Sequence, residues 1–107
     1  MISETALEKA LDYLRDTAET TAQMRANRLY LEDYSRVLKA IIMSEHLAEP
    51  VNAQERYAFA DIRFKNHLEG LKQAIFEDEK NRFLRDAASV KINVWQSQCA
   101  NERAQKI

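Results

Sequence analysis

His46-Leu47-Ala48-Glu49-Pro50-Val51-Asn52 is the stretch on which the fold turns. Pro50 lacks a backbone donor and biases Glu49 away from helical backbone, so a helix arriving from the N-terminal side must stop here. No other stretch interrupts the chain so firmly. Its 107 residues hold one Pro and one Gly, whereas a β sandwich or a βαβ fold needs many more turn residues. One break implies two helices. Ser3 or Thr5 can cap the first, with Thr5 and Glu8 spaced as a capping box, and Asn52 with Glu55 repeats that logic for the second. The sequence therefore predicts an all-α single domain over 1–107. A first helix runs over about 4–46, a loop over 47–52 and a second helix over about 53–104. At 1.5 Å per residue the helices reach roughly 65 and 75 Å, a long antiparallel helical hairpin and a rod rather than a globule.

Apolar spacing agrees with helix throughout. Leu7, Leu11, Leu14, Ala18, Ala22, Ala26, Tyr30, Tyr34, Val37 and Ile41 step by three or four along the first helix. Steps of four dominate the middle, which predicts straight or locally right-handed packing. In the second helix Tyr57, Ala60, Phe64, Leu68, Leu71 and Ile75 form one stripe. Phe76, Phe83, Ala87, Val90 and Val94 form another, beside Leu84, Ala88, Ile92, Trp95 and Cys99. From about residue 83 this apolar surface is too wide for one neighbouring helix. The expectation is a homo-oligomer with coiled-coil-like packing through Phe83, Leu84, Val90, Ile92, Val94 and Trp95. Gly70 inside the second helix marks either a close helix crossing or a tolerated weak point.

The net charge of −1 hides bands. Residues 20–40 and 56–75 each carry +2, and 41–55 carry −3. In a hairpin closed at Pro50, positions whose numbers add to about 100 face each other. Arg25, Arg28, Arg36 and Lys39 then gather with Arg63, Lys65 and Lys72. Such a band can track phosphates without reading sequence, and Tyr30, Tyr34, Tyr57 and Phe59 lie near it for base stacking. The same charges also suit an ordinary solvated face with helical ion pairs to Glu32, Asp33, Asp61 and Glu69.

Catalytic constellations are missing from the sequence. His46 and His67 are not in metal-ligand spacing, Glu77, Asp78 and Glu79 fan around a helix, and one Gly cannot build a phosphate loop or a nucleophile elbow. Cys99, four residues after Trp95, reads as a small buried hydrophobe, and a single Cys forms no internal disulfide. The expectation is a non-enzyme with no cofactor and no metal. No apolar run reaches about 18 residues, and the acidic, amphipathic MISETALEKA is unlike a signal peptide, which points to a cytoplasmic protein without membrane contact.

The stretches RANRLYLEDYSRVLKAIIMSE, AQERYAFAD, HLEGLKQAIFEDE and INVWQSQCANERA resemble small coil-containing helical proteins of tailed bacteriophages, some of them similar to phage recombination mediators. The likeness covers roughly residues 18–104. It rests on an AQER-type helix start at Ala53, Gln54, Glu55 and Arg56, on Trp95, and on Ala100 and Arg103 as a closing Ala-x-x-Arg. Gln96 departs from the pattern, since many such sequences have Arg after the Trp. The resemblance implies an oligomeric accessory protein of phage DNA recombination or replication, in the cytoplasm of a bacterial host. It would bind single-stranded DNA and assist a recombinase or annealing protein against a single-strand-binding protein. The alternative is a helical interaction or inhibitor module that binds a phage or host protein without touching nucleic acid.

Overall fold

The computed structural model describes residues 1–106. It contains four helices, α1 (Glu4–Asp16), α2 (Ala18–Ser44), α3 (Val51–Ala60) and α4 (Ile62–Gln105), and no strand among the described residues. The all-helical expectation is met, but the two long helices are each divided. The helix expected over 4–46 breaks at Thr17, where φ −99° and ψ 3° leave helical geometry. The Thr17 hydroxyl donates to the Tyr13 carbonyl one turn back, the local bond by which Thr competes with the helical ladder. The helix expected over 53–104 starts earlier, at Val51, and breaks at Asp61. Asp61 is extended (ψ 139°) and its Oδ1 accepts from the Arg63 backbone N–H at 2.8 Å, so it caps α4.

Of the caps expected, the first is settled between its two candidates and the second is corrected. Ser3 caps α1, its Oγ accepting from the Ala6 N–H at 3.1 Å, so the Thr5–Glu8 box is not the start. Pro50, not Asn52, is the N-cap of α3, and the connection occupies 45–50 instead of 47–52. The Pro50 carbonyl accepts from the Gln54 N–H at 2.9 Å, and the Gln54 amide returns to the Glu49 carbonyl at 2.8 Å. Pro is tolerated at this place because the helix asks no hydrogen bond of the nitrogen at its N-cap, so the missing donor costs nothing. Glu55 points instead toward Lys39, at 3.6 Å.

By packing, the chain divides into two compact units, Gln23–Asp78 and Met1–Ala22 with Glu79 onward. Gln23–Asp78 has a well-filled core. Ile42 and Ala58 are fully buried with Leu38 and Phe64, and Tyr34 and Met43 pack against them. Partners run in opposite order along the chain: Arg28 meets Asp78, Ser35 meets His67 and Glu45 meets Arg63. The other unit joins Met1–Ala22 to α4 from Glu79 onward. Its buried residues are small or polar, Ala10, Ala88 and Asn81. The Ile2 N–H reaches the Gln98 side chain at 2.8 Å.

A strict seven-residue repeat organises both units. On α4 the inward positions are Phe64, His67, Leu71, Ala74, Asp78, Asn81, Arg85, Ala88, Ile92, Trp95 and Cys99, in alternating steps of three and four. On α1 and α2 they are Leu7, Ala10, Leu14, Thr17, Thr21, Met24, Arg28, Leu31, Ser35, Leu38 and Ile42, all buried or half-buried. Tyr30, Val37 and Ile41, expected on the packed stripe, are exposed beside it. The inward line therefore follows a 3.5-residue period instead of the four-residue steps of the hydropathy stripe, and a sustained 3.5-residue period is that of a left-handed seam.

Gly70 is no crossing point: a Cβ built there meets nothing within 4 Å, and its φ is not positive. Gly70→Ala should raise stability by about 0.5–1 kcal/mol through a less flexible unfolded chain and better helix propensity, measured by urea denaturation.

Candidate functional site

All seven basic residues of the expected band belong to the unit Gln23–Asp78, and carboxylates hold four of them. Arg28 lies 3.1 Å from Glu32 and 3.2 Å from Asp78. Arg36 pairs with Asp33 at 3.3 Å, and Lys39 approaches Glu55 while its ammonium sits 4.9 Å from the centre of the Phe59 ring. Arg63 grips both oxygens of Glu45 at 2.6 and 3.0 Å and reaches Asp61 at 3.0 Å. Arg25, Lys65 and Lys72 remain exposed and form no ion pair among the described residues. Lys65 and Lys72 stand one heptad apart on the outer side of α4, each one position after an inward residue.

The aromatics near the band are used within the fold to different degrees. Tyr57 stacks on His46 at 4.2 Å and Phe59 meets Phe64 edge-on at 5.4 Å. Tyr30 and Tyr34 stack on each other at 6.0 Å, with Tyr30 outward. His67 faces Ser35 at 2.8 Å and the Tyr34 ring.

The six residues expected at an oligomer interface fall on two faces. Ile92 and Trp95 are half-buried on the inward side of α4. Phe83, Leu84, Val90 and Val94 are exposed, Phe83 by 62% and Val90 by 57%. The apolar surface that seemed too wide for one neighbour thus comprises an inward line and an outward one.

Sequence reasoning missed the polar part of the seam. The Ser35 hydroxyl and His67 Nε2 share a hydrogen bond, Arg28 donates to Asp78, the Asn81 amide donates to the Thr21 hydroxyl at 2.9 Å, and Arg85 donates to the Thr17 hydroxyl at 2.8 Å. Arg85 also takes the Leu14 carbonyl at 3.1 Å, beside the break between α1 and α2. The signal was the seven-residue spacing of Thr21, Arg28 and Ser35, invisible to a search for apolar residues alone. Among the described residues no group of three or more His, Cys, Asp or Glu side chains could hold a metal ion, and no helix is long and apolar enough to cross a membrane.

Two outcomes follow from these pairings. Asn81→Ala removes the bond to the Thr21 hydroxyl, which still donates to the Thr17 carbonyl at 2.7 Å, and should cost about 0.5–1.5 kcal/mol in urea denaturation, whereas Asn81→Leu with Thr21→Val should cost less. The second concerns acid. Hydrogen bonds from Arg63 hold the Glu45 and Asp61 carboxyls below their ordinary values. Carboxyls that titrate lower folded than unfolded stabilise above the unfolded pKa, and that contribution is lost as pH falls through the folded one. Below about pH 4.5, stability should therefore fall less steeply in Arg63→Gln than in the wild type, read from urea midpoints across the acid range. Set beside known proteins, the chain matches no family model, no curated protein and no solved structure.

Proposed function

We propose that the protein is a non-enzymatic helical interaction module, folded as an antiparallel hairpin about the connection at 45–50, whose work is to bind protein through the outward face of α4. The observation that carries this is the exposure of Phe83, Leu84, Val90 and Val94 along one helical segment. Apolar side chains grouped in water mark contact surfaces more often than they occur by accident. The opposite order of partners within each unit supports the hairpin. The paired state of Arg28, Arg36, Lys39 and Arg63 supports protein over nucleic acid, because a guanidinium held by a carboxylate must give up that partner to take a phosphate.

A second reading rests on Arg25, Lys65 and Lys72, which are exposed and pair with no carboxylate among the described residues. Under it the protein is an oligomeric accessory factor of phage recombination in the bacterial cytoplasm, binding single-stranded DNA and assisting a recombinase, as the resemblance implies. A fluorescence-anisotropy titration of a labelled oligonucleotide separates the two. The interaction module gives no saturable binding at physiological salt. Binding whose logarithm falls linearly with the logarithm of salt, and which Lys65→Glu with Lys72→Glu abolishes, would establish the second reading instead.

A further inference from the structure

Between Phe83 and Val94, α4 carries a second coiled-coil pattern on its outward side. Phe83, Ala87, Val90 and Val94 succeed one another by four, three and four residues, and all four are exposed. That is the spacing of a helix–helix seam, directed away from the line that packs inward. Two exposed charges border it: Asp86, one position before Ala87, and Lys91, one position after Val90. At 100° per residue they stand on opposite flanks of the strip, in the places where coiled coils form interhelical ion pairs. Neither forms an ion pair among the described residues. Arg82, the cation one turn before Asp86, is taken by Glu79 at 2.7 Å and lies over the Phe83 ring at 5.2 Å.

Resting on the interaction-module reading, we propose that this strip docks a second copy of the chain, with the two α4 segments parallel. The charges identify the occupant, because the strip carries both halves of its own ion pair. Parallel alignment sets Phe83 against Phe83 and Val90 against Val90 across a twofold axis, and brings Asp86 of each copy opposite Lys91 of the other. Antiparallel alignment gathers both lysines on one flank and both aspartates on the other, where like charges repel. Ala87 between the larger residues lets the helices approach closely.

Sedimentation equilibrium at micromolar concentration tests this with exposed charges whose exchange leaves the helix intact, as circular dichroism will verify. Asp86→Lys alone replaces two attractions by two repulsions and should weaken the dimer about tenfold or more, as should Lys91→Asp. The double variant Asp86→Lys with Lys91→Asp restores both pairs and should recover dimerisation to within about threefold of the wild type. Independently, Val90→Cys in a Cys99→Ser background should oxidise to a disulfide-linked dimer, because parallel alignment places the two introduced thiols together. A monomeric wild type, a double variant as weak as the single ones, or thiols that fail to join would overturn the proposal. The interaction-module reading fails separately, by salt-sensitive binding in the oligonucleotide titration.

Discussion

Polar side chains turned inward decide how these helices can pair. Thr17, Thr21, Arg28 and Ser35 are half-buried and find their partners in Arg85, Asn81, Asp78 and His67. A buried donor or acceptor left without a partner costs about 1–3 kcal/mol, more than a well-made hydrogen bond contributes net. The alanine and leucine layers between them would tolerate a slip of one heptad, since a seam of apolar residues looks alike at every repeat. The polar layers would not: such a slip sets Ser35 against Ala74 and Thr17 against Ile92. Register is therefore fixed by penalties in the wrong alignment more than by energy gained in the right one.

The two units are held in different ways. In Gln23–Asp78 the large side chains Leu38, Ile42 and Phe64 close around Ala58, whose small side chain admits α3. Arg63 then ties the end of α2 to the cap of α4 through Glu45 and Asp61. In the unit of Met1–Ala22 with the later part of α4, the buried apolar residues are alanines, and Arg85 and Asn81 supply bonds where bulk is lacking. Apolar burial sets most of the free energy of a local unit, so the unit with the alanine core should open first in hydrogen exchange. It also carries the outward strip of α4.

Helical class and the interruption at Pro50 were legible because both follow from residue type: scarce turn formers, and one residue that cannot donate. Ser3 was legible as a cap for the same reason. The packed face was not, because a hydropathy stripe selects Tyr30, Val37 and Ile41 while the inward line includes Thr17, Arg28 and Ser35. Asp61 carried a recognisable cap signal, an acidic residue before Ile62, that a continuous apolar pattern concealed. The seven basic residues all belong to the unit Gln23–Asp78. Their pairing with Asp33, Glu45, Glu55, Asp61 and Asp78 depends on side-chain reach across helices, which charge counting along a sequence does not see.

On α4 the usual distribution of side chains is partly inverted, with Asp78, Asn81 and Arg85 inward and Phe83, Val90 and Val94 outward. The physical consequence is a division of labour between faces. Polar groups inside give little net stability but strong discrimination among alignments, which suits pairing within a chain, where the partner is always present at high effective concentration. Association between chains pays a larger entropic cost and needs a surface whose burial returns several kcal/mol, which aromatic and branched aliphatic residues supply. Under the proposed docking of a second helix, this chain places its hydrogen bonds inward, where register is decided, and its apolar area outward, where association needs it.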